Sequence, residues 1–123
     1  MMPNVALLRG AGLALLLAML AACSSQADIA EVRAAIGDAP VVLLSTSTCG
    51  YCKKLRADLA AWGVDYVDLD VESNDDGWRA YDLVNGRGVP ILVIGDKVVH
   101  GYAPDRSRGL LLAAKLIPDS STP

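Results

Sequence analysis

Thr48-Cys49-Gly50-Tyr51-Cys52 joins an unbroken apolar run, Val41-Val42-Leu43-Leu44, to a segment in which Cys52, Leu55, Leu59 and Trp62 recur at helical spacing. The β-branched run predicts a strand and the second period a helix, so the cysteine pair lies where a strand turns into a helix. A sulfur at a helix start meets unpaired N–H groups and the positive end of the macrodipole, which favour thiolate over thiol. Lys53 or Lys54 in the first turn would add to that field. A second cysteine three residues on points back and can close a small disulfide ring with the first. Thiol–disulfide exchange is therefore the leading expectation, with Cys49 as nucleophile and Cys52, on the apolar face of Leu55 and Leu59, as the resolving thiol.

Composition agrees. The chain has 123 residues, enough for one domain, and three cysteines, which cannot all pair within it. The two in the motif are too close to staple distant segments, so chemistry is favoured over scaffolding. Arg9 is the only charge before Cys23, which leaves 10 basic and 14 acidic side chains and a net charge near −4 for the rest. No basic block is long enough for a phosphate backbone, so nucleic acid is excluded as a partner.

Residues 1–22 read as a targeting segment. A weakly positive start ending at Arg9 is followed by thirteen apolar or small residues, Gly10 to Ala22. These span roughly 20 Å as a helix, short of the roughly 30 Å of a bilayer core, so a signal peptide fits better than a spanning helix. Leu20-Ala21-Ala22-Cys23 resembles the lipobox of bacterial lipoproteins. The resemblance implies lipidation of Cys23, firm anchoring by several acyl chains and a periplasm-facing place in the cell envelope. Ser24 after the cysteine resembles lipoproteins sent on to an outer membrane.

Residues 23–38 are expected to form a polar tether and a short helix, Asp28 to Ile36, capped by Asp28 and stopped by Gly37. A domain over 39–117 then begins with Pro40 and a strand from Val41 to Ser45. The cysteine-bearing helix is expected to stop at Gly63, followed by an edge strand from Val64 to Val71, where apolar and acidic residues alternate. Ser73-Asn74-Asp75-Asp76 resembles a capping box and opens a helix ending near Asn85-Gly86, which predicts a βαβ unit with a parallel pair. Gly88 to Ile94 and Lys97 to His100, split by Gly95-Asp96, predict a hairpin. Pro104 starts a last helix to Leu116, and 118–123 form a flexible end.

This order, with Cys49-Gly50-Tyr51-Cys52, Gly88-Val89-Pro90 and Gly101-Tyr102-Ala103-Pro104-Asp105, resembles the glutaredoxin form of the thioredoxin fold over Ala39 to Leu116. The resemblance implies an α/β fold with a four-stranded mixed sheet and helices on both faces. It implies a thiol–disulfide oxidoreductase whose only redox group is the Cys49–Cys52 pair, with no metal, acting as a monomer on protein disulfides or thiols. It also implies a cis Val89-Pro90 bond, whereas sequence alone favours a trans proline on an edge strand. Tyr51, Val89, Pro90, Gly101 and Tyr102 become candidate substrate-binding residues. Tyr51 either shapes a substrate groove or covers the disulfide.

Two departures weigh against glutathione. Thr46 stands where glutathione-using relatives usually carry lysine, and His100-Gly101-Tyr102-Ala103 stands where they carry Gly-Gly and acidic residues. Gly101-Tyr102-Ala103-Pro104-Asp105 more closely resembles the glutaredoxin-like redoxins reduced by thioredoxin reductase, and since neither glutathione nor that cytosolic reductase is to be assumed outside the inner membrane, the electron donor stays open. Iron–sulfur cluster binding by a dimer is the alternative, since glutaredoxins with Gly after the first cysteine can resemble cluster carriers. A tethered module with a structural disulfide is the third class. His100 is expected to be a solvated strand-end residue, Trp62 and Trp78 packing residues at least as much as functional ones, and the acidic run from Asp65 to Asp76 a solvated edge.

Overall fold

Ile29–Ile36 (α1), Val41–Ser45 (β1), Gly50–Trp62 (α2), Val67–Asp70 (β2), Asp75–Leu83 (α3), Ile91–Ile94 (β3), Lys97–His100 (β4) and Pro104–Ala113 (α4) follow one another in a computed structural model that describes residues 28–119. The signal peptide expected over 1–22, the lipobox ending at Cys23, the tether over 23–27, and residues 120–123 of the expected flexible end lie outside the described residues. The strands form one sheet in the order β2-β1-β3-β4. β1 pairs with β2 in parallel, Val42 opposite Val67, and with β3 antiparallel, Leu44 opposite Ile91. β4 returns antiparallel along β3, with His100 opposite Ile91.

Every residue of β1 and β3 is buried, because alternate side chains enter different cores. Val41 and Leu43 join Leu55 and Leu59 of α2, Leu92 and Leu111 of α4 on one face. Val42 and Leu44 join Val32 and Ile36 of α1, Ala80 of α3, Ile91 and Val93 on the other. Helices therefore cover both faces. The topology also gathers the end of β1, the start of β3 and the end of β4 at one end of the sheet, and α2 begins there.

Several boundaries differ from the sequence expectation. β2 starts at Val67 rather than Val64, because the Val64 N–H is taken by the Leu59 carbonyl in the turn that ends α2, with Gly63 left-handed at φ 71°. The cap of α3 is Asn74, not Ser73: its Oδ1 accepts from the Gly77 N–H at 2.8 Å, while the Ser73 and Asn74 N–H groups both donate to the Asp70 carbonyl. α3 ends at Leu83, just short of the expected Asn85-Gly86. α4 stops at Ala113 rather than Leu116, because Lys115 turns left-handed at φ 58°.

The N-terminal helix is tied to the hairpin by one side chain. The Arg33 guanidinium donates to the carbonyls of Ala39, Pro40 and Gly95, with the Nε bond to Gly95 at 2.8 Å. Hydrogen bonds to a charged donor contribute more than neutral ones, but these carbonyls are partly wetted once the guanidinium leaves. Arg33→Ala is expected to destabilise the fold by about 1–2 kcal/mol, read as a lower urea midpoint at unchanged m-value.

Candidate active site

Cys49 is the N-cap residue of α2, in extended conformation at φ −83° and ψ 114°. Its sulfur accepts a hydrogen bond from the Cys52 N–H at 3.1 Å and its thiol donates to the Val89 carbonyl at 3.5 Å. The Cys52 N–H in the first turn thus points its positive end toward this sulfur, as the strand-to-helix reading predicts. Cys49 is half-buried, Cys52 fully buried one turn in, and both are free thiols. Burial first, and then the hydrogen bond with Cys49, push the Cys52 thiol up to about 11; the Thr46 backbone and Arg56 pull the other way. The two sulfurs therefore differ in access and in environment.

Val89-Pro90 is a cis peptide bond, with Pro90 buried and Val89 half-buried beside Cys49. The Gly101 N–H donates to the Pro90 carbonyl at 2.9 Å, which brings Gly101-Tyr102 to the same end of the sheet. Tyr51 is 58% exposed and stacks on Tyr102, ring centroids 5.7 Å apart. The Tyr102 hydroxyl donates to Asp58 Oδ2 at 2.7 Å, and that bond holds the phenol protonated above its usual range. Lys54 sits over the Tyr51 ring at 5.2 Å, a cation–π contact.

All five residues proposed for substrate contact thus cluster around the cysteines. His100 is exposed at the end of β4. Trp62 packs against the core, whereas Trp78 is 56% exposed and stacks on Tyr81. Sequence reasoning missed the polar group behind Cys52. Arg56, four residues on along α2, donates to Asp68 Oδ2 at 2.6 Å and to the hydroxyl of buried Ser45 at 2.8 Å, while Ser45 donates to the other Asp68 oxygen. Its signal was the i, i+4 spacing from Cys52, which places both side chains on one face. Asp68, read as part of a solvated acidic edge, is exposed as expected and also anchors this guanidinium. Among the described residues no cluster of three or more His, Cys, Asp or Glu side chains is arranged to hold a metal ion.

The family model described as glutaredoxin matches residues 41–99 of the chain. The Gene 56 protein of Mycobacterium phage L5 is 34% identical over 84 residues, covering 64% of this chain and 77% of the phage protein. Among solved structures, a glutaredoxin from Archaeoglobus fulgidus superposes with a TM-score of 0.54 at 27% identity, covering 63% of this chain and 91% of its own. The holo form of glutaredoxin C1 from Populus tremula x tremuloides superposes with a TM-score of 0.56 at 26% identity, covering 76% and 94%.

Proposed function

The chain belongs to the thioredoxin superfamily as a glutaredoxin-like protein, and from that membership we propose that it is a dithiol oxidoreductase that reduces or exchanges protein disulfides in the cell envelope. The observation that carries the reading is the asymmetry of the pair: Cys49 is accessible at a helix N-terminus with a backbone N–H on its sulfur, and Cys52 is buried behind it. The Cys49 thiolate attacks one sulfur of a substrate disulfide, forming a mixed disulfide and expelling the other substrate sulfur, which takes up a proton. The Cys52 thiol loses its proton, attacks the Cys49 sulfur and releases the second substrate thiol. Two electrons pass to the substrate and leave a Cys49–Cys52 disulfide, which an external dithiol must reduce for the next turnover. The Val89 backbone and the Tyr51–Tyr102 pair flank the reacting sulfur as contacts for an extended polypeptide.

Placement in the envelope rests on Leu20-Ala21-Ala22-Cys23 and the apolar run before it. Thiol trapping in intact cells followed by membrane fractionation tests both parts. Cys49 and Cys52 are expected to trap mainly as thiols in the membrane fraction, and Cys23→Ala to release the protein from it. A pair trapped mainly as disulfide would reverse the direction to oxidation, and unchanged fractionation of Cys23→Ala would remove the lipid tether.

A further inference from the structure

A groove of about 600 Å³ opens between Gly88-Val89 and the start of α3. Val89 lines it, and the Val89 carbonyl lies 3.5 Å from the Cys49 sulfur, so the groove adjoins a residue in contact with the reacting atom. The α3 side presents Glu72, Asp75, Trp78 and Tyr81, and Thr46 completes the lining at 9% exposure.

The charge of the groove has one sign. Glu72 and Asp75 are the charged side chains that line it, and neither forms an ion pair within 4 Å among the described residues. The N-terminus of α3 favours Asp75 locally, but Glu72 precedes the helix, and its own N–H is taken by Asp70 Oδ1. Trp78 adds a second feature. Its indole is 56% exposed and rests on the Tyr81 ring at 5.7 Å and 26°, which supports an aromatic face in the groove. A supported aromatic face with carboxylates beside it is the chemistry that receives a guanidinium or ammonium group. Glutathione does not fit it. That tripeptide carries two carboxylates against one ammonium, and here it meets Glu72 and Asp75 with no lysine or arginine in the lining.

We propose that this groove is a subsite for an arginine or lysine side chain flanking the reactive cysteine of a polypeptide substrate, which makes the protein selective for basic polypeptide disulfides over glutathione-type ones. The inference rests on the exchange reading above. It assigns to Glu72, Asp75 and Trp78 the selection among substrates and to the cysteines the reaction itself.

The test uses the full-length reduced protein in neutral detergent and two synthetic peptide disulfides that differ only in carrying Arg or Glu beside the cysteine. Each second-order rate constant is divided by that peptide's rate with dithiothreitol, because a neighbouring cation itself activates a leaving thiol. The normalised rate is expected to be about tenfold higher for the Arg peptide, to lose much of that advantage as salt is raised, and to fall to near parity in the Glu72→Gln/Asp75→Asn double variant. Glutathione disulfide is expected to react no faster than the Glu peptide. Equal normalised rates, a preference that survives in the double variant, or glutathione disulfide reacting as fast as the Arg peptide would each overturn the subsite and leave the oxidoreductase reading standing. Failure of both peptides to exchange would overturn the two together.

Discussion

Replacing Cys49 with Ser is expected to reduce protein-disulfide exchange to the uncatalysed background, a loss on the order of 10³-fold or more, while Cys52→Ser still reacts once and accumulates a mixed disulfide on Cys49. The reason lies in the different surroundings of two similar sulfurs. Cys49 is the half-buried N-cap with the Cys52 N–H on its sulfur at 3.1 Å, and serine there keeps the cap but offers an alcohol that does not displace a thiolate. Cys52 has no exposed surface, so in Cys49→Ser it cannot take over as the attacking group. In Cys52→Ser the first displacement proceeds and the second has no nucleophile. Insulin reduction reads the first effect, and non-reducing electrophoresis after mixing with a disulfide substrate reads the second. A Cys49→Ser protein that retains exchange would sink the assignment of roles.

What could be read in the sequence was the part carried by local spacing. Val41 to Ser45 is strand because both its faces are covered, and an unbroken apolar run says so directly. The cysteine-bearing helix is fixed at both ends by neighbours, Cys49 as cap and Gly63 as the left-handed stop. Boundaries failed where the hydrophobic pattern continues past the hydrogen bonds. Val64 is buried and fits the alternation, but it packs from a helix-ending turn rather than from the ladder. Leu116 packs on the core and Ile117 within it after α4 has ended, because the Leu116 N–H reaches back to the Leu111 carbonyl around a left-handed Lys115, a residue type that gives no stop signal.

The site divides in the same way. Cys49, Cys52 and Pro90 sit in short recognisable motifs. The Arg56–Asp68–Ser45 group exists only once β1 and β2 pair in parallel, in a register that sets Leu43 opposite Asp68 and Ser45 opposite Asp70. The acidic, aromatic groove forms only when the loop before β3 folds against α3, bringing Val89 to Glu72 and Trp78. A linear pattern holds no record of either apposition. The acidic stretch is solvated as read, with Asp70 half-buried, but its members also have separate partners: Asp68 anchors a guanidinium, Asp70 caps a turn, and Glu72 and Asp75 face a groove.

Resolution of the mixed disulfide is expected to accelerate by about tenfold per pH unit between about pH 7 and 9, because the attacking group is a thiol held protonated by its burial. In the reduced protein Cys52 is pushed up to about 11, by burial first and then by the hydrogen bond and charge of Cys49. Once Cys49 is tied into a mixed disulfide, its sulfur carries neither proton nor charge, so those two contributions fall away and burial remains. The thiolate fraction then rises with pH across the neutral range. Arg56 works in the opposite direction to burial, with its guanidinium fixed by Asp68 and Ser45 on the helix face that Cys52 shares. Arg56→Met is expected to slow resolution by about three- to tenfold at every pH without flattening the slope, and Arg56→Lys to restore part of the rate. A merely structural role for Arg56 would lower the denaturation midpoint and leave the pH profile in place. The sign for stability follows from the same shift. A thiol whose folded pKa is raised stabilises the reduced fold fully below its ordinary value of 9.0, and that contribution is lost as pH rises toward about 11. Loading Cys49 with thionitrobenzoate and following its release by absorbance in stopped flow measures the step directly, and a rate independent of pH from 7 to 9 would show that deprotonation of Cys52 does not control it.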